Sequence, residues 1–273
     1  MKYSVLMAVY EKDSPSYLQI ALESIYEKQT RKPDEIVVVF DGPLTDELYF
    51  VLDEFRVGKE NIVFYYPQEK NGGLGEALRI GSEKCTGDYI FRMDSDDISD
   101  SERFERQIEY IELHPEVDVL GTDIAEFQRS YCENEKRIRV CPASHDGIVR
   151  MSKRRNPMNH VTACMKSSAL KKCGGYKELP LLEDYYLWLR MIASGCVLAN
   201  LNIPLVYVRI GNGFETKRGS KKRIQGWMVL QRYMLKNKMI TIFGAMLNML
   251  YIWGFVNTPA KLKEFLYSRF LRK

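Results

Sequence analysis

The 273-residue chain is 45% hydrophobic and 28% charged, which excludes a disordered chain and is ordinary for a globular protein. The apolar run at residues 5–9 is short and soon followed by charged residues, so we expect no secretory signal peptide and a cytoplasmic protein. The six cysteines form no CxxC pair and the three histidines have no zinc spacing, which argues against a disulfide framework and a zinc site.

The net charge of +4 is unevenly distributed along the chain. From residue 200 onward there are 14 Lys and Arg against 2 Asp and Glu, whereas the preceding part has 26 basic and 34 acidic residues. A basic C-terminal region of this kind is typical of binding to nucleic acid or to an anionic membrane surface.

Strands and helices alternate in the first hundred residues. Short, continuously apolar runs predict buried strands at residues 4–10, 35–40, 61–66 and 88–93. Helical spacing or turn residues predict helices from Pro15, near residues 46–55, and from the Gly-rich segment 71–75 to about Lys84. This pattern predicts an α/β, Rossmann-like fold with a mainly parallel central sheet, whose ligand crevice lies at the carboxyl ends of the strands.

The second half of the predicted catalytic domain is less regular. Further elements are predicted as a helix after a capping box at Ser99 and Glu102, strands at 117–122 and 161–166, and a helix at 185–193. Residues 128–156 are polar, basic and weakly periodic, which predicts a mobile excursion. These boundaries define a domain at residues 1–210 and a helical, basic region at 211–273.

The acidic segment 94–97 follows the fourth predicted strand. Its three carboxylates repel one another unless a cation or solvent screens them. Alternate residues at a strand end point the same way, so Asp94 and Asp96 are expected to converge on Mg²⁺ or Mn²⁺, which prefer oxygen ligands. The alternative is a solvated acidic turn.

Other polar residues occupy the ends of predicted elements. Tyr10 and Glu11 follow the first strand, and Asp41 follows the second, where it either binds a base or ribose or simply forms a turn. The Gly-rich segment 71–75 has neither Walker nor dinucleotide spacing, so it is a phosphate-facing loop or an ordinary strand-to-helix turn.

Glu183 and Asp184 precede an amphipathic helix. One of them is a candidate general base, and the alternative is a favourable interaction with the helix dipole. The three histidines are weaker candidates: His114 ends a helix, His145 lies in a loop-like region, and His160 is expected in the core or on the surface.

Taken together, these segments resemble the inverting family 2 glycosyltransferases of the GT-A fold, of the bacterial capsule, exopolysaccharide or O-antigen type. The match covers roughly residues 3–210 and has the family's order of motifs: 4–10, 35–42, 71–77, 87–97, Arg103-Phe104 with Gln107, 174–176 and 183–190.

The resemblance implies roles for individual residues. The base, Asp184, would have Glu183 beside it, and Asp94 with Asp96 would match the family's D-x-D motif, with Asp96 as direct ligand of Mn²⁺ or Mg²⁺. The nucleotide site would comprise Ala8, Tyr10, Glu11, Asp41, Asn71, Gly73 and Asp94.

The implied activity is a single, inverting sugar transfer from a UDP-linked donor to a saccharide acceptor carried on a polyprenyl lipid. The Gln-x-x-Arg-Trp signature of processive synthases is absent after residue 190, which disfavours polymerisation. Alternatives are a nucleotidyltransferase, although the segment 10–13 lacks a Gly-rich basic loop, and a non-catalytic nucleotide-sugar-binding protein. We expect no nucleic-acid partner, because a nucleic-acid-binding function would leave the aspartates at the strand ends without a role.

The uncharged segment 239–256 is 18 residues long, at the lower edge of the ~20 residues that span a bilayer. Basic residues flank it on both sides: Lys236, Lys238, Lys261, Lys263, Arg269, Arg272 and Lys273. This pattern predicts helices lying in the headgroup region of an anionic membrane, hence a peripheral protein on its inner face. Alternatives are a helical pair packed on the catalytic domain and a true span.

Overall fold

The computed structural model describes residues 1–128, 136–210 and 221–258. Within these ranges one mixed sheet forms the centre of the molecule. Its strands are β1 (Tyr3–Val9), β2 (Glu35–Phe40), β3 (Val63–Pro67), β4 (Tyr89–Met93), β5 (Ile98–Ser99), β6 (Val119–Phe127), β7 (Arg137–Arg139), β8 (Cys164–Lys166) and β9 (Leu198–Arg209). The helices are α1 (Pro15–Ile25), α2 (Asp46–Arg56), α3 (Leu74–Lys84), α4 (Arg103–Leu113), α5 (His145–Ser152), α6 (Ser167–Lys172), α7 (Glu183–Ala193), α8 (Lys221–Lys236) and α9 (Ile242–Asn257), with a 3₁₀ turn at His160–Thr162.

The sheet has the order β3-β2-β1-β4-β8-β6-β9-β5, with β7 paired to β6. Its first four strands are parallel, which places the ends of β1, β2 and β4 along one edge. Beyond β4 the sheet is mixed, because β8 is antiparallel to both its neighbours whereas β6 and β9 are parallel. The predicted α/β, Rossmann-like fold is therefore confirmed.

Hydrophobic cores cover both faces of the sheet. Alternate residues of β1 and β2 belong to different cores, as the two-residue period of a strand requires. One core includes residues of α1, α2 and α4, and the other includes residues of α3, α5, α6 and α7. This burial on both faces explains why the strand sequences are continuously apolar.

Two local predictions are wrong. The helix at Arg103–Leu113 has no side-chain cap, because the Ser99 hydroxyl binds Gln29 and the Asp100 carbonyl inside the fold. The predicted excursion at 128–156 contains β7 and α5, and α5 is capped by the Ser144 side chain; residues 129–135 lie outside the described ranges.

The described cysteines lie in the interior of the fold. Five cysteines in the described part of the chain are buried and free: Cys85, Cys141, Cys164, Cys173 and Cys196. Cys132 lies outside the described residues.

A buried arginine links the central strand to its neighbours. Arg103 donates from Nη2 to the carbonyls of Arg92 (2.8 Å) and Val161 (3.0 Å), and from Nε to Gln107 (3.1 Å). Gln107 in turn donates to the carbonyls of Leu120 and Thr162. These bonds join α4, β4, β6 and the 3₁₀ turn, although burial lowers the pKa of Arg103 to about 9. The pair thus satisfies backbone groups where the sheet is irregular.

The C-terminal helices pack on α7 through a third hydrophobic cluster. Trp227 and Leu230 of α8 and Ile252 of α9 meet Tyr185 and Leu189 of α7. The opposite face of α9 is apolar and exposed along residues Ile242, Phe243, Met246, Leu247, Leu250, Tyr251 and Trp253. Among the described residues, no helix combines the length and apolarity needed to cross a bilayer. The basic flank after residue 260 lies outside the described ranges.

Replacing Arg103 with methionine should destabilise the fold by about 2–4 kcal/mol, because the buried carbonyls of Arg92 and Val161 lose their donors. Arg106→Met on the same helix is the matched control, since its ion pair with Glu102 is half exposed and should matter little. Equilibrium denaturation in urea measures both, and equal effects of the two substitutions would contradict the assignment.

Candidate active site

The acidic cluster lies just after β4, as predicted. Carboxylate oxygens of Asp94, Asp96 and Asp97 all lie within 4.8 Å of one another. Asp96 is exposed and Asp94 partly so, whereas Asp97 is buried. Desolvation and the charge of Asp94 raise the pKa of both Asp96 and Asp97, so an additional positive charge would be favourable here.

A buried guanidinium provides part of that charge. Arg92, on β4, is 2% exposed and forms an ion pair with Asp94. Burial disfavours its charge, but Asp94 outweighs that cost and the pKa of Arg92 is raised. Its Nε and Nη1 atoms are buried without a hydrogen-bond partner in the described part of the chain. Burial raises the pKa of Asp184, and the charge of Arg92 is one of several contributions that partly offset this rise.

Asp13, which sequence reasoning missed, and Asp97, which belongs to the predicted acidic segment, both position this cluster. Asp13 accepts hydrogen bonds from Ser95 Oγ (2.7 Å) and Tyr10 N (3.1 Å), and burial raises its pKa to about 6. Asp97 accepts from Arg209 N (2.9 Å) at the end of β9. The segment 10–13 carries a turn signal, because aspartate is common in turns, where its side chain binds nearby backbone N–H groups. The partner of Asp97 has no local signal.

Asp41 organises the Gly-rich turn. Its carboxylate accepts from Gly72 N (2.7 Å) and Gly73 N (3.0 Å), and its carbonyl accepts from Asn71 Nδ2 (3.2 Å). Gly42 has φ +90°, and a Cβ there would lie 2.8 Å from Asn71 N. The conformation and close approach both require glycine, so Asp41-Gly42 fixes the segment 71–73 at the end of β2.

The start of α7 closes the crevice. A Cβ on Gly75 would lie 3.0 Å from Glu183 Cγ, so Glu183 packs directly on the Gly-rich turn. Asp184 accepts a hydrogen bond from Asn156 Nδ2 and lies partly exposed. Burial raises the pKa of both carboxyls, and for Glu183 the charge of Asp184 adds to it.

The remaining predicted residues lie at the end of β1. Ala8 pairs with Val39 of β2, and Tyr10 and Glu11 lie in the following turn, where Glu11 is exposed. Burial raises the pKa of Tyr10, with further contributions from Asp13 and Asp96. The ends of β1 and β2 and the acidic cluster after β4 therefore lie along one edge of the sheet, and Glu183 at the start of α7 packs on the neighbouring Gly-rich turn.

His160 is half-buried, in contact with aromatic side chains. Its Nε2 is 2.9 Å from the Tyr176 hydroxyl, and its ring centroid is 5.9 Å from that of Trp188. Burial lowers the pKa of His160 well below its usual value, and the positive charge of Arg92 adds to this effect. His145, which was predicted in a loop-like region, is instead the first residue of α5, and its Nδ1 accepts a hydrogen bond from Leu198 N of β9.

Comparison with known proteins gives one family. The family model for glycosyl transferase family 2 matches residues 4–172. An uncharacterised glycosyltransferase of Haemophilus influenzae is 39% identical over 273 residues and covers 100% of both chains. The UDP-Gal:α-D-GlcNAc-diphosphoundecaprenol β-1,3-galactosyltransferase of Escherichia coli is 34% identical and covers 100% of this chain and 97% of its own.

Solved structures are similar in fold. S. aureus TarS in complex with UDP-GlcNAc superposes with a TM-score of 0.69 at 17% identity, covering 96% of this chain and 77% of that one. At this identity the likeness shows the fold alone.

Burial of the His160 ring keeps the imidazole neutral in the folded protein. The fold should therefore keep its full stability above the unfolded pKa of histidine, about 6.5, and lose about 1.4 kcal/mol per pH unit as the pH falls below that value. His160→Gln, which cannot take up this proton, should therefore lose less stability than the parent between pH 7.5 and 5.5. Denaturation curves at several pH values, with half-exposed His114→Gln as control, measure the difference. Parallel pH profiles for the parent and His160→Gln would contradict a neutral buried imidazole.

Proposed function

Because the chain belongs to the family 2 glycosyltransferases, we propose that it transfers a single sugar, with inversion, from a UDP-linked donor to a lipid-linked saccharide in surface polysaccharide biosynthesis. The observation that carries the proposal is that the acidic cluster and Asp41 lie at the ends of parallel strands on one edge of the sheet, while Glu183, next to Asp184, packs on the turn that Asp41 binds. A nucleotidyltransferase or a non-catalytic binding protein is not favoured by the relatives, which are glycosyltransferases.

The donor nucleotide is proposed to lie along the ends of β1 and β2. Ala8, Tyr10 and Glu11 would border the nucleoside, with Asp41 and Asn71 on its other side. The hydrogen bonds from Gly72 and Gly73 to Asp41 hold this wall rigid before a ligand arrives. A wall fixed by backbone bonds loses little conformational entropy on binding.

The acidic cluster fits a divalent cation. Asp94 and Asp96 offer oxygens that Mn²⁺ and Mg²⁺ prefer, and the raised pKa of Asp96 shows that negative charge is costly there. Asp96 would bind the ion directly, whereas Asp94 shares its charge with Arg92. When bound, such an ion offsets the charge that develops on the departing diphosphate.

Asp184 is the proposed general base. It would accept the proton of an acceptor hydroxyl as that oxygen attacks the anomeric carbon and the nucleoside diphosphate leaves from the opposite face. The bond from Asn156 fixes the orientation of this carboxylate, and Arg92 and Arg139 favour its ionised form against the cost of burial. One displacement inverts the anomeric centre, so no enzyme nucleophile is required.

The region 211–273 is proposed to place residues 1–210 on the inner face of the cell membrane. The exposed face of α9 is an apolar surface of the kind that enters the headgroup region. The E. coli relative is named for a diphosphoundecaprenol-linked substrate, and a lipid-linked acceptor would be presented at such a surface.

Metal removal and Asp96→Asn should each abolish transfer and leave the fold intact, because both leave the diphosphate charge uncompensated. The assay is nucleotide release from a panel of UDP-, dTDP- and GDP-sugars, with Mn²⁺ or with EDTA, and exposed Asp53→Asn as control. Full activity of Asp96→Asn in EDTA would contradict the metal assignment. Release of pyrophosphate in place of nucleotide would instead indicate a nucleotidyltransferase.

Asp184→Asn should reduce turnover by about 10²–10⁴-fold and preserve donor affinity, because the base acts on the acceptor. Since burial raises the pKa of Asp184, turnover of the parent should rise with pH through a midpoint above the ordinary aspartate value. Calorimetry of UDP binding and a pH–rate profile measure the two effects. Lost donor affinity with unchanged turnover per bound donor would count against this base.

Full-length protein should float with anionic vesicles, and binding should weaken when Phe243 and Leu250 on the α9 face are both replaced by asparagine. Phe50→Asn/Leu113→Asn is the matched control, because these side chains are equally apolar and exposed on α2 and α4. Equal flotation of both double variants, or none of the parent at low salt, would contradict peripheral binding through α9.

A further inference from the structure

A basic groove adjoins the catalytic crevice without belonging to the nucleotide site. It has a volume of about 710 Å³ and runs along α5 and the turn that follows. Its lining residues are Gly147, Arg150, Met151, Lys153, Arg154 and Arg155. The four cations are exposed, and none of them forms an ion pair with a carboxylate in the described part of the chain.

This concentration of charge is unfavourable unless an anion offsets it. Four cations within six residues repel one another at short range. The end of α5 offers only the partial negative charge of a helix C-terminus. Elsewhere in the described residues, exposed arginines such as Arg79 and Arg106 pair with glutamates on their own helix. The groove therefore has the charge of an anion site that no carboxylate of the described residues occupies.

Two hydrogen bonds fix the groove between the base and the membrane-facing helix. At one end Asn156 Nδ2 donates to Asp184. At the other, Asn248 Nδ2 of α9 donates to the Lys153 carbonyl at 2.7 Å. The Cα atoms of residues 153 and 156 are at most ~11 Å apart, because consecutive Cα atoms are 3.8 Å apart. A second groove, lined by Lys153 and by Met239, Ile240 and Ile242, continues toward α9.

We propose that Lys153, Arg154 and Arg155 bind the diphosphate of a lipid-linked acceptor; this deepens, and rests on, the proposed function. The accepting hydroxyl lies at Asp184, the diphosphate in the basic groove, and the alkyl chain leaves along α9 toward the bilayer. The short distance allows one or two sugar rings between diphosphate and accepting hydroxyl. An anionic lipid headgroup could bind to basic residues anywhere near α9. Cations next to Asp184 are needed only by a ligand whose accepting hydroxyl reaches that residue.

The test compares a charged and an uncharged acceptor in neutral detergent micelles. The probes are undecyl-diphosphoryl-GlcNAc and undecyl-β-GlcNAc, with undecyl diphosphate for binding alone. Arg154→Gln/Arg155→Gln removes two cations, and Lys171→Gln/Lys172→Gln on α6 is the charge-matched control. We expect the first variant to weaken undecyl diphosphate binding about 10–100-fold, the loss of charge-assisted bonds, with no effect on undecyl-β-GlcNAc.

Each outcome decides the matter. Unchanged diphosphate affinity in Arg154→Gln/Arg155→Gln overturns the inference, and so does an equal loss for both acceptors, which would indicate a structural role. If the variant loses binding only to phosphatidylglycerol vesicles, the inference is also overturned, because the cations then bind lipid headgroups. Binding of undecyl diphosphate needs no donor and no turnover. Failure of this inference, seen as unchanged binding, is therefore distinguishable from failure of the proposed function, seen as no nucleotide release from any donor.

Discussion

The site depends on one electrostatic constraint: negative charge is crowded at the end of β4, and the cation buried against it is Arg92. Asp94, Asp96 and Asp97 have oxygens within 4.8 Å of one another, and Asp13 lies beside them through Ser95. Burial, with the neighbouring negative charges adding to it, raises the pKa values of Asp13, Asp96 and Asp97. Because three carboxylates meet one guanidinium, the fold retains a local excess of negative charge that a divalent cation and its diphosphate complex can use.

The same guanidinium separates the roles of two kinds of carboxylate. In the cluster, burial and then the charge of Asp94 oppose ionisation of Asp96, which makes this carboxylate receptive to a cation. At Asp184 burial also opposes ionisation, but the Asn156 amide and the charges of Arg139 and Arg92 favour the ionised carboxylate. These differences are the basis for proposing the first group as a metal site and the second as a proton acceptor. Environment, and not residue type, distinguishes them.

Sequence reasoning located this site because its residues follow strands. The run at Glu35–Phe40 was predicted with its observed bounds, and Asp41 follows it directly. Long-range pairing had no such signal: Arg103 reaches the carbonyls of Arg92 and Val161, and Asp97 binds Arg209 N, across 112 residues of chain. The helix at His145–Ser152 was missed because its polar composition hid a short buried face. Periodicity reports burial along an element, but not which distant groups a buried polar side chain satisfies.

The uncharged segment 239–256 was ambiguous because Asn248 interrupts it. A polar amide weakens the prediction of a span, yet it does not choose between a packed helix and an interfacial one. In the structure Asn248 Nδ2 donates to the Lys153 carbonyl and to Gln231 Oε1, so the amide attaches α9 to the catalytic body. The residues on either side of it then divide into a face packed on α7 and α8 and a face left apolar and exposed. Asn248 fixes the rotation of α9, and its partner Lys153 lines the basic groove. The hydrogen bond between them therefore decides which apolar side chains of α9 face outward and where these side chains lie relative to Asp184, the proposed base.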